Sequence, residues 1–409
     1  MNAYDADVII VGGGPSGVAA ALELKKRGVA HVMLLDREDT LGGATRHCSH
    51  SPFGMREFGR VYFGAAYGRR LQREALAAGV DIRPQHSVVS LGEDASITVT
   101  SPRGVGVLKA RRVMLATGAR EMPRSARLVS GDRPATGIVT TGALQSYVAF
   151  HHLMPFRRPL IVGSELVSFS AVLTCLTHGA RPVAMIEPES RALARKPFTL
   201  FPALFGIPFH ASAEIVDIRG AGRVEAATVR LADGSTRSFS CDGVLFTGRF
   251  TPEASLPMQS PLGVAPGSSG PAIDQTGRMA NPLYFAGGNV LRAVETGGWA
   301  FREGQAVGAA LAADLARDPA VAEPVPVTFD APVKLVVPNL LRRGENAPAF
   351  RDFQLRFLRP ANGRLSLELD GRPVWSRTGE WLPERRILVP VPSGAAEAGH
   401  VHFGFREQG

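Results

Sequence analysis

Ala6-Asp-Val-Ile-Ile-Val-Gly-Gly-Gly-Pro-Ser-Gly-Val-Ala-Ala-Ala-Leu-Glu-Leu-Lys-Lys-Arg-Gly28 decides how the rest of the chain is read. Its apolar run at 8–11 is rich in β-branched residues and lacks polar alternation, the pattern of a parallel strand buried on both faces. Glycines then recur as Gly12-x-Gly14-x-x-Gly17, and a helix follows whose Val18, Ala21 and Leu22 can pack back on the sheet. Gly12 permits the tight turn, Gly14 lets backbone N–H groups approach a pyrophosphate, and Gly17 allows close helix–strand packing. Pro15 and Ser16 lie inside this loop and are candidate contacts, at the helix end whose dipole favours phosphate. A second apolar strand at 32–35 ends in Asp36, 19 residues after Gly17, where a carboxylate accepts hydrogen bonds from an adenosine ribose. Strand, turn, helix, strand and acid in that order predict a dinucleotide site.

The chain has 409 residues, enough for two or three domains. No run of eighteen apolar residues occurs, so no membrane span is expected. The start, Met1-Asn-Ala-Tyr-Asp5, lacks a basic flank, which predicts a cytoplasmic protein without a targeting segment. Net charge is +9, carried by scattered arginine pairs such as Arg69-Arg70 and Arg385-Arg386 with no basic tract interleaved with aromatics. That pattern argues against a nucleic-acid surface and fits a solvated Arg-rich exterior or anionic ligands. Cys48, Cys175 and Cys241 include no pair at C-x-x-C spacing. Local dithiol chemistry is therefore excluded, and three thiols are too few for a four-cysteine iron–sulfur site; no metal site is expected.

After Asp36 and Arg37, the adjacent Gly42 and Gly43 let a loop lie flat against the dinucleotide. Ala44 and then the polar run to His47, Cys48 and His50 would face the same cavity. A helix is expected from about 63 to 78, with Tyr67, Arg69 and Arg70 on a solvated face. The strand Val113-Met-Leu-Ala-Thr-Gly118 stops in a small-residue turn, where Thr117 and Gly118 suit close approach of backbone to a ligand. At Pro159-Leu-Ile-Val-Gly-Ser-Glu-Leu-Val-Ser168 the first unit is weakly repeated, but Glu165 and Ser168 replace the second and third glycines. A carboxylate where backbone should meet a pyrophosphate predicts poor NAD(P) binding, the rival being a variant loop that still binds it. Residues 241–252 return the chain to the first domain, and Tyr284-Phe-Ala-Gly-Gly-Asn289 is a further buried strand ending in Gly288 and a polar side chain. The helix that follows begins near Gly297, Gly298 and Trp299, where its dipole can face a developing anion. A Pro-rich linker at 318–326 leads to a β-rich appendage with a hairpin at Asp370-Gly371 and no catalytic cluster.

The combination of Gly12-x-Gly14-x-x-Gly17, Asp36 with Gly42-Gly43, Ala116-Thr-Gly118 and Tyr284-Phe-Ala-Gly-Gly-Asn289 resembles the two-dinucleotide-domain flavoproteins of the pyridine nucleotide–disulfide oxidoreductase superfamily. The resemblance implies that the first motif holds the FAD pyrophosphate and the acid its ribose. Asn289 would stand where the family has an Asp beside the ribityl chain. It implies an α/β fold of two Rossmann-like dinucleotide-binding domains, the second inserted in the first, plus a small C-terminal β-rich domain. The expected boundaries are 1–120 with 252–320 for FAD, 121–251 for the degenerate NAD(P)-like domain, and 327–409 for the third. Within the superfamily, Cys48-Ser-His50-Ser-Pro-Phe53-Gly54, the stretch 131–138 and Val336-Val337-Pro338 look most like flavoproteins encoded with glycerol-3-phosphate dehydrogenases. More distantly they resemble the A subunits of opine oxidases and the matching subunit of hydrogen cyanide synthase. The resemblance implies one subunit of a dehydrogenase, partnered by a second subunit and oxidising a small amino or hydroxy acid or relaying its electrons. Two other functions stay open: a free-standing NAD(P)H-dependent flavin reductase, and a non-catalytic assembly subunit carrying FAD. His50 and Cys48 are the candidate reactive side chains, against plainer readings as a hydrogen-bonded loop residue and a buried small residue. Glu165 and Glu295 read as structural or partner-facing, and Trp299 as packing or a substrate platform.

Overall fold

The computed structural model describes residues 4–293, 295–317, 322–344 and 348–408. The strand Ala6–Val11 pairs in parallel on both sides, with Val32–Leu35 and with the second half of Gly104–Leu115, which is why its sequence is continuously apolar. Helix α1 (Pro15–Lys26) opens on a proline whose absent N–H would have had no helical partner, and closes on Lys25 and Lys26 at the negative end of its dipole. Asp81–Arg83 extends the parallel sheet beyond Val32–Leu35. Ser87–Leu91 and Ser96–Ser101 continue it antiparallel from the first half of Gly104–Leu115.

Between these strands lie α2 (Met55–Phe58) and α3 (Gly64–Ala77). Arg69 is exposed as expected, but Tyr67 is fully buried and stacks on Phe53 with ring centroids 5.6 Å apart. The solvated face expected for α3 is thus corrected at Tyr67. Gly64 and Gly68 on the same side of the helix bring it against the turn Gly43–His47; a Cβ on Gly64 would lie 2.5 Å from the Thr45 carbonyl oxygen. That approach turns Tyr67 inward.

The chain leaves this sheet through Ala119–Glu121 and returns through Phe250–Pro252, two strands that pair antiparallel as a ribbon. Between them is a second sheet, all parallel, in the order Phe209–His210, Ala184–Ile186, Pro159–Val162, Gly243–Phe246, Ile138–Thr140. It carries α4 (Thr141–His151), α5 (Leu166–Thr177) and α6 (Phe201–Leu204), and before its last strand in sequence, Gly243–Phe246, the chain forms a three-stranded antiparallel sheet spanning 214–240 that shares its core.

After α7 (Ser255–Met258), the strand Tyr284–Ala286 rejoins the first sheet in parallel beside Gly104–Leu115. Helix α8 (Gly297–Leu315) then packs along α1. The approach depends on missing side chains: a Cβ on Gly304 would lie 2.0 Å from the Ser16 carbonyl oxygen, and one on Gly308 2.8 Å from that of Ala20. None of the helices among the described residues is long and apolar enough to cross a membrane.

Of the linker expected at 318–326, residues 318–321 lie outside the described residues, and the strand Val325–Phe329 already begins within its end. The C-terminal region forms a five-stranded and a three-stranded sheet around its own core. It is more than an appendage, because Leu335, Val337 and Phe350 join the core of the first unit. A fully buried Arg342–Asp274 ion pair, at 3.0 Å, crosses the same boundary.

Candidate functional site

The glycine loop separates into positions that packing demands and one that it leaves open. A Cβ on Gly12 would lie 2.5 Å from the Ala116 carbonyl oxygen, and one on Gly17 only 1.9 Å from that of Gly12. Gly14, in contrast, has just the Gly43 Cα nearby, at 3.9 Å from its would-be Cβ. Gly14 is the N-cap of α1 with no side chain capping it, so the first N–H groups of the helix face open space. Ser16, buried in the first turn, has a hydroxyl without a hydrogen-bond partner, and a Cβ on Gly288 would lie 2.8 Å from its Oγ. Gly118, with φ of +79°, is likewise open.

Asp36 is buried at the end of its strand and accepts hydrogen bonds from Gly13 N–H (2.7 Å) and Glu38 N–H (2.9 Å). Burial raises its pKa against those two lowering hydrogen bonds. Each carboxylate oxygen keeps a second acceptor position for a ribose hydroxyl. Arg37 points to solvent, with Glu38 at 3.6 Å, and Ala44 is exposed. The Gly42-Gly43 loop forms a short helical turn, Gly43–His47, and does not run flat. Thr117 donates its hydroxyl hydrogen to the Glu253 carbonyl (2.6 Å), tying the end of the strand to the returning chain.

Cys48 follows that turn, with its thiol against the Ala44 carbonyl (3.3 Å) and Gln145 Oε1 (3.7 Å). Burial, with the nearby Glu121 carboxylate adding to it, pushes this thiol up to about 12. It therefore stays protonated at neutral pH. Burial moves His50 the other way, below the usual imidazole value, so its ring is neutral at pH 7; it lies against Phe53 with centroids 5.1 Å apart. His47 drops to about 4, through burial first and Arg46 second.

At the start of α8, Trp299 is half-buried beneath guanidiniums. Those of Arg386, Arg56 and Arg302 lie 4.0, 4.9 and 6.0 Å from its ring. Glu57 on α2 reaches the same helix end: a Cβ on Gly298 would lie 2.8 Å from its Oε2. Both Glu57 oxygens and the Tyr67 hydroxyl are buried without a well-formed hydrogen bond, and burial with the adjoining Glu57 carboxylate drives Tyr67 well above its ordinary pKa.

Asn289 closes its own loop. Its Oδ1 accepts from Glu295 N–H (2.8 Å) and its Nδ2 donates to the Glu295 carbonyl (3.0 Å). An aspartate cannot make the second bond, because two acceptors would face each other. We expect Asn289→Asp to lose about 1–3 kcal/mol of stability, read as a lowered urea midpoint. An unchanged midpoint would refute the bracket.

The second glycine loop has the same frame and a filled mouth. Gly163 takes the place of Gly12, a Cβ there meeting Thr247 Oγ1 at 2.4 Å. Glu165, at the N-cap of α5, accepts from Arg249 N–H (2.8 Å). Ser168 bonds Thr247 (2.6 Å), and Ser164 donates to Glu187 (2.5 Å) while accepting from Leu193 N–H (3.0 Å). A carboxylate and two hydroxyls thus stand, held by the chain's own groups, where the first loop has glycines. Beneath this loop, Glu121 accepts from Gly248 N–H (2.9 Å) and Gly142 N–H (2.8 Å), binding the ribbon to both α4 and the returning strand.

Sequence reasoning placed the glycine loop and Asp36 but missed Glu57, Glu303 and the C-terminal Gln354, Arg356 and Arg386. Gln354 takes hydrogen bonds from Arg292, and Arg356 and Arg386 pair with Glu295, over sequence distances that leave no local signal.

Residues 6–306 match the family model for pyridine nucleotide-disulphide oxidoreductase. The chain belongs to this family. Among curated relatives, it is similar to the HcnB subunit of hydrogen cyanide synthase from Pseudomonas aeruginosa, 29% identical over 254 residues, 56% of this chain and 52% of that protein. It is also similar to the alpha subunit of sarcosine oxidase from Corynebacterium sp. (strain P-1), 27% identical over 276 residues, 62% of this chain and 27% of that one. The A subunit of opine oxidase from Rhizobium meliloti is 25% identical over 183 residues, 44% of this chain and 38% of that protein. The chain thus spans about half or less of the length of these relatives. In fold it is similar to thioredoxin reductase of T. acidophilum, with TM-score 0.63 and 20% identity over 76% of this chain and 99% of that one. A NAD-dependent persulfide reductase from A. fulgidus gives TM-score 0.59 and 14% identity over 94% of this chain and 71% of that one. The family's FAD fits the first loop: the open Gly14 cradle, the orphaned Ser16 hydroxyl and the Asp36 carboxylate are groups that a dinucleotide satisfies. The three cysteines are free thiols.

Proposed function

We propose that this family member is an FAD-dependent oxidoreductase, the flavoprotein subunit of a multisubunit dehydrogenase or oxidase. It takes electrons from a small amino or hydroxy acid, or relays them, without a dithiol and without a nicotinamide donor. The contrast between the two glycine loops carries this reading: the first is open at Gly14 and Ser16, the second closed by Glu165 and Ser164. The subunit role is supported by relatives that are themselves named as subunits.

FAD, when bound, supplies the hydride and single-electron chemistry. Gly14 and Ser16 would hold the pyrophosphate, Asp36 the ribose, and the open Gly118 would admit the cofactor close to the backbone. The N-terminus of α8 at Gly297, Gly298 and Trp299 would stabilise negative charge on the reduced ring. His50, neutral at pH 7, serves as proton acceptor, whereas the protonated Cys48 thiol serves packing. The test is the absorbance spectrum and the FAD released on denaturing the purified protein. One FAD per chain is expected, and a colourless chain that fails to take up added FAD overturns the proposal.

A further inference from the structure

The loop that leads into α8 is gripped by the C-terminal sheets. Glu295, just before the Thr296 N-cap, extends its carboxylate to Arg356 (2.8 Å) and Arg386 (3.1 Å), with only 9% of its side chain exposed. Arg356 belongs to the strand Asp352–Phe357, and Arg386 stands one residue before Ile387–Pro390. At the other end of the loop, Glu303 accepts from Gly288 N–H (2.7 Å) and pairs with Arg292 (2.5 Å), which also donates to Gln354 (2.6 Å). The loop carrying Gly288 and Asn289 is therefore fixed from outside the nucleotide-binding unit.

The charges do not cancel. Two guanidiniums meet the one Glu295 carboxylate, and Arg386 additionally lies 4.0 Å from the centroid of the Trp299 ring. With Arg56 and Arg302 over the same ring, these four guanidiniums outnumber the carboxylates of Glu295 and of Glu57, which also reaches this helix end. Positive charge is thus added at the helix end whose dipole is already positive. Coulomb interactions among half-buried groups are screened far less than those at the surface, so a single charge there is felt by its neighbours.

We infer that Arg386, held by Glu295 over Trp299, is a positioning residue that raises the reduction potential of the bound flavin by favouring the negative charge gained on reduction. The inference rests on the FAD reading above. Two electrons and one proton taken up by the oxidised flavin leave one added negative charge, and the Arg386 guanidinium stabilises that product more than the neutral starting form. The C-terminal sheets thereby set the energetics of a site to which they contribute no fingerprint residue.

The test is the midpoint potential of the purified flavoprotein, reduced anaerobically by xanthine and xanthine oxidase against a reference dye. FAD content and thermal unfolding are followed in parallel. Arg386→Gln should lower the potential, Arg386→Lys should leave it near the wild-type value, and Glu295→Gln should raise it by freeing the two guanidiniums. Opposite shifts from the two glutamine variants separate charge from loosening, which would move both the same way. If Arg386→Gln releases the flavin, the sign of the Glu295→Gln shift decides alone. Shifts of the same sign, no shift, or loss of FAD from all three variants would overturn the inference. A wild-type chain without FAD would instead overturn the functional reading.

Discussion

Gly17→Val will cost the protein its fold along with its cofactor. The Cβ alone would lie 1.9 Å from the Gly12 carbonyl oxygen and 3.3 Å from the Ile10 side chain, in the seam between α1 and the central strand. Neither neighbour can yield, because Gly12 is itself pressed against the Ala116 carbonyl and Ile10 is fully buried. Overpacking usually costs about 1–3 kcal/mol, and a clash with a fixed backbone carbonyl beside a buried side chain belongs at or beyond the top of that range. A collapsed yield or a sharply lowered unfolding midpoint is expected. Gly14→Ala is the contrasting case: its φ of −75° suits any residue and its Cβ meets nothing closer than 3.9 Å. That variant should unfold at the wild-type midpoint yet bind FAD more weakly, because the methyl group occupies the space left for the pyrophosphate. Equal stability of the two variants would refute this division of roles among the glycines.

Arg342→Met should destabilise the chain by about 3–5 kcal/mol, the usual consequence of leaving a buried charge without its partner. Arg342 and Asp274 have side chains only 1% and 0% exposed, 3.0 Å apart. The same guanidinium donates to the carbonyls of Ala322 (2.9 Å), Met279 (3.0 Å) and Ala280 (3.2 Å), so its loss also strands acceptors where the C-terminal sheets join the first unit. Asp274 would keep its bonds from Thr276 and the nearby Arg278 charge but lose the guanidinium in direct contact with its carboxylate. Combining Arg342→Met with Asp274→Asn removes both charges, and the double variant should be more stable than the sum of the two single losses. Urea unfolding of the four proteins checks this. A loss under about 1 kcal/mol for Arg342→Met would show that the pair does not hold the boundary together.

The nucleotide-binding frame was legible because its physics is local. A strand flanked by parallel neighbours must be apolar throughout, and Gly12, Gly17 and Gly163 are glycines because a carbonyl or hydroxyl stands where their side chains would be. The degenerate second loop could be read from Glu165 alone, although its partner, the Arg249 N–H, lies 84 residues away. Tyr67 was misplaced because a polar helix face gives no sign that Gly64 and Gly68 draw the helix inward. Asn289 looked like a weakened aspartate, yet its amide is required to bond Glu295 in both directions. The C-terminal grip on Glu295 and Arg292 joins residues about 60 to 90 apart through Gln354, Arg356 and Arg386, which share no periodic pattern.

The central claim is that one dinucleotide site works and the other is closed. Anaerobic titration of the purified yellow protein with NADH and then NADPH, followed at the oxidised-flavin absorbance, tests it most directly. We predict that the flavin stays oxidised with both while dithionite still bleaches it. Rapid bleaching by either nucleotide would contradict that claim and make this chain a nicotinamide-dependent reductase.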